Sequence, residues 1–152
     1  MKVVDANVLL YAVNEDAPFH GESNAWLDCA LSGAETVGLA WIALLAFVRL
    51  STKSGVFPSP LSTGEAMDIV DSWLETAPAV VIGPTKHHSR LVRSLVTDAG
   101  TGGNLVSDAH LAALALEHQG IIVTYDKDFL RFDGVRSVNP RELLSEYRQR
   151  GQ

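Results

Sequence analysis

Short β-branched runs alternate with longer stretches of helical periodicity along the whole chain. Lys2 to Asp5 is an apolar run closed by an acid, and Ala6 to Val13 continues as a short helix. From Phe19 the apolar positions Phe19, Trp26, Leu27, Ala30 and Leu31 predict a helix that ends near Gly33, and Thr36 to Leu39 predicts a buried strand. Trp41 to Leu50 is almost continuously apolar. Its length and its leucines and alanines predict a buried helix. After the break at Pro58 and Pro60, Ser62 and Glu65 stand at capping-box spacing before a stripe of Ala66, Ile69, Val70, Trp73 and Leu74.

Ala79 to Ile82 reads as a strand, and Thr85 as the cap of a helix with Leu91, Val92, Leu95 and Val96 on one face. A loop, Gly100 to Gly103, precedes Asn104, the expected cap of a helix that carries Asp108 and His118 and stops at Gly120. Ile121 to Thr124 and Val135 to Val138 read as strands. Asn139, Pro140 and Glu142 supply a cap, a first-turn proline and a third-position acid for a terminal helix. This alternation predicts an α/β fold, a central mostly parallel sheet flanked by helices on both faces with right-handed crossovers. Functional groups in such folds gather at the C-terminal edge of the strands.

At 152 residues the chain has the length of one domain, taken as residues 1–152, and its 47% apolar share suits a globular core. Cys29 has no internal partner and lies in a patterned helix, so a buried thiol is expected. No apolar run reaches membrane-spanning length, and the N-terminus lacks a signal-peptide core, so the cytoplasm is the expected location. A net charge of −6 argues against a broad basic face for nucleic acid. It leaves room for a hydrolase that recruits cations through carboxylates and meets phosphate at a local basic rim.

Asp5 follows the first strand, Asp126 and Asp128 follow the 121–124 strand, and Asp108 stands early in a helix. Carboxylate oxygens suit hard cations such as Mg2+ and Mn2+, and the chain has no Cys/His spacing for zinc. Each acid also has a plainer reading: Asp5 as a helix cap, Asp108 as a solvated helix position, Asp126 and Asp128 as turn residues. The Gly-rich loop lacks the Lys-Ser/Thr ending of a phosphate-cradling loop.

The segments VVDANVLLYA, NLVSDAHLAALALEHQG and IIVTYDKDFLRF resemble, in order and spacing, the best-marked motifs of PIN domains. The likeness extends to VGLAWIALLAFVRLST and VNPREL and covers nearly the whole chain. Within that family it is most similar to the VapC toxins of type II VapBC toxin–antitoxin pairs. The resemblance implies a Mg2+- or Mn2+-dependent endoribonuclease that hydrolyses phosphodiester bonds in tRNA or rRNA with metal-activated water and leaves a 5′-phosphate. It implies Asp5, Asp108 and Asp126 as metal ligands, Asp128 as a supporting catalytic acid, and Asn7 and Thr124 as polar groups near the metals. A VapB-type antitoxin that inserts a basic side chain into the acidic pocket, and a homodimer, follow by the same analogy.

One departure stands out. Many PIN domains carry a glutamate in the helix that here reads WIALLAFVRL, without an acid. Either fewer ligands bind one metal firmly, or an acid from elsewhere such as Glu22 fills the gap. The missing acid keeps open an alternative class, a catalytically silent PIN-like module that binds RNA or protein. A receiver or phosphatase domain fits less well, because VVDAN lacks a DxD nucleophile arrangement.

Lys86, Arg90 and Arg93 form a basic stripe without an intervening acid, and Lys86, Arg90 and Lys127 are the candidate RNA contacts. Arg49, Lys53 and Arg131 are similar candidates. A solvated helix face is the plainer reading of the stripe. His87, His88, His110 and His118 lack metal-pair spacing and are read as structural or surface groups, and Trp26, Trp41 and Trp73 as core.

Overall fold

A computed structural model describes residues 1–100, 103 and 105–150. Thr101 and Gly102 of the predicted loop, and the predicted cap Asn104, lie outside the described residues. Along the chain run β1 (Lys2–Val4), α1 (Ala6–Val13), α2 (His20–Ser32), β2 (Val37–Ala40), α3 (Trp41–Ser51), α4 (Thr63–Leu74) and β3 (Ala79–Ile82). There follow α5 (His88–Asp98), α6 (Leu105–Glu117), β4 (Ile121–Val123), a 3-10 turn (Lys127–Arg131), β5 (Ser137–Val138) and α7 (Pro140–Arg150).

The five strands pair in the order β3-β2-β1-β4-β5, and every pairing is parallel. The chain therefore starts at the centre of the sheet, builds outward to β3, and returns to the other side of β1. Where that direction reverses, between β1 and β4, neighbouring connections leave towards opposite faces and open a crevice at the strands' C-terminal ends.

Strand residues alternate between two cores, because successive side chains of a strand point to opposite faces. Val4, Leu39 and Val123 join Val8, Leu9, Trp26, Leu44, Phe47 and Val70 on one face. Val3, Ala40 and Ile122 join Leu95, Ala109, Ala112, Leu114 and Phe129 on the other. The expected sheet with helices on both faces is the observed one.

Both reciprocal caps form as the spacing predicts. Ser62 N–H donates to Glu65 Oε2 at 2.7 Å while Glu65 N–H donates to Ser62 Oγ at 3.1 Å. Asn139 and Glu142 repeat the exchange at 2.9 and 3.0 Å.

Four expectations need correction. Cys29 is exposed, on the outer face of α2. Trp41 is 44% and Leu45 57% exposed, so α3 buries only the stripe of Ala43, Leu44 and Phe47 and leaves an apolar face outward. Thr85 is not the cap of α5, which starts three residues later behind His87; its hydroxyl instead accepts from His87 N–H at 3.2 Å in a local turn. The last strand is only Ser137–Val138.

After α6, Gln119 takes the left-handed conformation, φ 55°, and Gly120 then runs against β1. A Cβ at Gly120 would sit 2.7 Å from Val3 Cγ2 and 3.4 Å from the Met1 carbonyl oxygen, and Val3 is fully buried. Gly120→Ala is therefore expected to cost roughly 1–3 kcal/mol through overpacking. Urea unfolding measures it, and an unchanged midpoint would show that β1 yields at no cost. Among the described residues no helix is long and apolar enough to cross a membrane.

Candidate active site

The parallel register lays the ends of β1 and β4 side by side, with Val4 opposite Val123. The next residue on each strand, Asp5 and Thr124, therefore meets its neighbour across the crevice. Asp5 N–H donates to the Val123 carbonyl at 3.0 Å, and the Thr124 hydroxyl donates to Asp5 Oδ2 at 2.8 Å. Asn7, one residue into α1, donates from Nδ2 to Asp5 Oδ2 and to Thr124 Oγ1, both at 3.0 Å. Its Oδ1 accepts from Tyr125 N–H at 3.2 Å. Thr124 Oγ1 also accepts from Asp126 N–H at 2.9 Å. One buried hydroxyl thus locks the ends of two strands and two acids into fixed relation.

The plainer readings of these acids hold as well. Asp5 Oδ1 accepts from Ala6 N–H at 2.7 Å and caps α1, and Asp126 Oδ1 accepts from Asp128 N–H at 2.8 Å and caps the 3-10 turn. Capping leaves further carboxylate lone pairs for other partners.

Asp108, Asp126 and Asp128 each offer one carboxylate oxygen within 4.8 Å of the other two. α6 contributes the first, the segment after β4 the others. Burial pushes the Asp108 carboxyl up to about 6, and the charges of Asp126, Asp5 and Asp128 add to the effect. Burial likewise raises Asp5; its hydrogen bonds work against this and the charge of Asp126 works with it. Asp126, Asp5 and Asp128 gathered around Asp108 form a pocket of negative potential. Oxygen-only donors at this spacing fit a hard divalent cation, which relieves the repulsion, and do not fit zinc.

The converging trio contains Asp128, which the resemblance assigned a supporting place. Asp5, held by Thr124 and Asn7, is not one of the converging three, and its charge acts on Asp108. Glu22 is not among the three converging acids. It lies in the adjoining cleft, where Oε1 accepts from the Tyr125 hydroxyl and Oε2 from Arg141 Nε, both at 2.8 Å. The narrower ligand set is the one the geometry supports.

Of the candidate RNA contacts, Lys127 lines the cleft beside Asp126, whereas Lys86 and Arg90 are exposed around the start of α5 and do not line it. Arg49, Lys53 and Arg131 are exposed too. The histidines hold structure, as expected. His88 Nδ1 meets Glu117 Oε2 at 2.7 Å, and its Nε2 meets His110 Nδ1 at 2.8 Å, which ties α5 to α6. Burial raises the proton affinity of Glu117, but hydrogen bonds from Thr85 and His88 outweigh it and hold the carboxyl below its ordinary value. Sequence reasoning missed this chain and the Glu22 cluster. No local signal marks either, since Glu22 and Arg141 are 119 residues apart.

The family model for the PIN domain matches residues 2–135. Ribonuclease VapC37 of Mycobacterium tuberculosis is 56% identical over 144 residues, covering 95% of this chain and all of that protein. Ribonuclease VapC33 of the same species is 32% identical over 140 residues, covering 92% of this chain and 98% of that one. Among solved structures, VapBC2 from Rickettsia felis bound to a promoter DNA fragment aligns with TM-score 0.68 at 18% identity, covering 91% of this chain and 97% of that one. VapC20 of Mycobacterium tuberculosis, a sarcin–ricin loop cleaving toxin, aligns with TM-score 0.64 at 15% identity, over 90% and 99%. At these identities the structures speak for the fold.

Proposed function

Because this chain belongs to the PIN-domain family, with VapC ribonucleases as its relatives, we propose that it is a divalent-metal-dependent endoribonuclease and the toxin of a toxin–antitoxin pair. The observation that carries this reading is the convergence of Asp108, Asp126 and Asp128 at the crevice between β1 and β4. A Mg2+ or Mn2+ ion held by these three, with Asp5 completing the ring of charge, supplies Lewis-acid stabilisation and a water nucleophilic near neutral pH.

The chain's own residues do the rest. Thr124 and Asn7 fix the Asp5 carboxylate, so the pocket keeps its shape without substrate. Lys127, on the cleft wall, places positive charge where an RNA phosphate approaches the acids. No side chain is required as a covalent nucleophile.

A structured RNA, tRNA or rRNA, is the proposed substrate; the sarcin–ricin activity named for VapC20 supports the ribosomal choice. A VapB-type antitoxin is the proposed inhibitor. The neighbours solved as VapBC complexes support it, and so does the fit of a guanidinium to clustered carboxylates. A homodimer in the cytoplasm completes the reading.

The purified protein is expected to cut total RNA with Mn2+ or Mg2+ and to stop when EDTA is added. Cleavage that survives chelation overturns metal dependence. Intact RNA in the presence of either ion, from a folded protein, points instead to the silent binding module.

A further inference from the structure

Beside the carboxylates, a cleft of about 410 Å3 opens between the start of α2, the segment after β4 and the start of α7. Thr124 and Asp126 belong to its wall, so cleft and acids form one continuous surface. Phosphodiester hydrolysis at the acids uses the Asp126 and Lys127 wall and leaves the Phe19, Glu22 and Arg141 side of the cleft without a role.

Its lining combines a flat apolar face with a paired polar edge. The rings of Phe19 and Tyr125 stack with centroids 4.4 Å apart and planes 13° apart. Tyr11 braces both, at 5.7 and 5.5 Å. Phe19 nevertheless stays 36% exposed. An aromatic ring held rigid by its neighbours and open to a cleft is a stacking platform for a planar group. Next to it stands Glu22. Each of its carboxylate oxygens carries about two lone-pair sites, of which Tyr125 and Arg141 occupy one apiece. Each oxygen keeps acceptor capacity beyond that bond, and the Glu22 side chain, 17% exposed, lines the cleft. Arg141, whose side chain is 71% exposed, keeps its terminal nitrogens for a phosphate or a carbonyl.

Among the four RNA bases, guanine alone presents two adjacent donors on one edge, N1–H and the N2 amino group. Adenine and cytosine set a donor beside a lone pair, and uracil sets one donor between two carbonyls, so each would turn an acceptor towards Glu22. We propose that this cleft is a guanine subsite: one unpaired guanine stacks on Phe19 and donates its N1–H/N2–H edge to Glu22, which Arg141 and Tyr125 hold in place. The proposal rests on the ribonuclease reading only in taking RNA as the source of that guanine. It also accounts for an acid that faces the cleft without joining the metal-binding trio.

The test is equilibrium binding of GMP, AMP, CMP and UMP to the wild-type protein in EDTA, read by calorimetry and by NMR shifts of the aromatic resonances. No cleavage is needed, and the shared phosphate cancels in the comparison. GMP is expected to bind about tenfold or more tightly than the other three. Glu22→Gln, which sets an amide donor against a base donor, is expected to bring the four within about threefold of one another. Phe19→Ala is expected to weaken all four by roughly fivefold or more while keeping their order. Equal affinities, a preference for another base, no saturable GMP binding, or a guanine preference that survives Glu22→Gln each overturns the subsite. Chelator-sensitive RNA cleavage in the same preparation would then leave the ribonuclease reading standing, so the two failures are distinct.

Discussion

Asp108→Asn is expected to lower metal-dependent RNA cleavage at least about a hundredfold and, in the same protein without metal, to raise stability at pH 8. The loss follows from the place of this carboxylate in the trio. Groups that merely support a metal ligand already cost 10–100-fold when removed, so a member of the set itself should cost no less than about the upper figure. The gain follows from repulsion. Burial, reinforced by Asp126, Asp5 and Asp128, holds the Asp108 carboxyl at about 6 against an ordinary 3.8.

Between those two values the folded protein binds more protons than the unfolded chain, so stability falls as pH rises from about 4 and the full penalty is present above about 6. A displacement of about two pH units corresponds to roughly 3 kcal/mol, which the partial exposure of the site discounts to about 1–2 kcal/mol. Thermal melts in EDTA from pH 4 to 8 measure it. The variant should gain on the wild type as pH rises, by about 2–8 °C at pH 8. Parallel melting curves at every pH would dissolve the electrostatic account, and cleavage at the wild-type rate would remove Asp108 from the active site.

Phe47→Ala is expected to cost about 3–5 kcal/mol, whereas Trp41→Ala, on the same helix, is expected to cost less, about 1–2 kcal/mol. Phe47 is fully buried and packs against Trp73 with ring centroids 4.8 Å apart. Its removal leaves a cavity that the surrounding Leu44, Val70 and Trp73 can fill only in part. Trp41, the larger ring, is 44% exposed, so its truncation opens onto solvent and leaves no enclosed cavity. Denaturant midpoints of the two variants give the comparison. Equal costs would mean that α3 does not face the sheet as described.

The same helix shows how far local pattern reaches. A run of ten residues, nine of them apolar, identifies α3 correctly, yet when nearly every position is apolar no stripe remains to tell the buried side from the open one. Cys29 failed for a related reason, because its helix buries Trp26, Leu27 and Ala30 and turns position 29 outward. Where polar and apolar positions alternate cleanly, as on α4 and at its capping box, the reading matched the structure.

Local pattern by itself determined the alternation of strands and helices and the reciprocal caps at Ser62 and Asn139, because each depends on residues within one turn or one strand of each other; the roles of the four aspartates came from the resemblance to PIN motifs. Only tertiary structure decided that Asp128 joins Asp108 and Asp126 in the converging set, and that Glu22 is bound by Tyr125 and Arg141. Glu22 and Arg141 alone are 119 residues apart, and the acids after β1 and β4 meet because strand order reverses between those strands. A carboxylate's neighbours across such a crevice are a property of the packed sheet, which no local run of residues encodes.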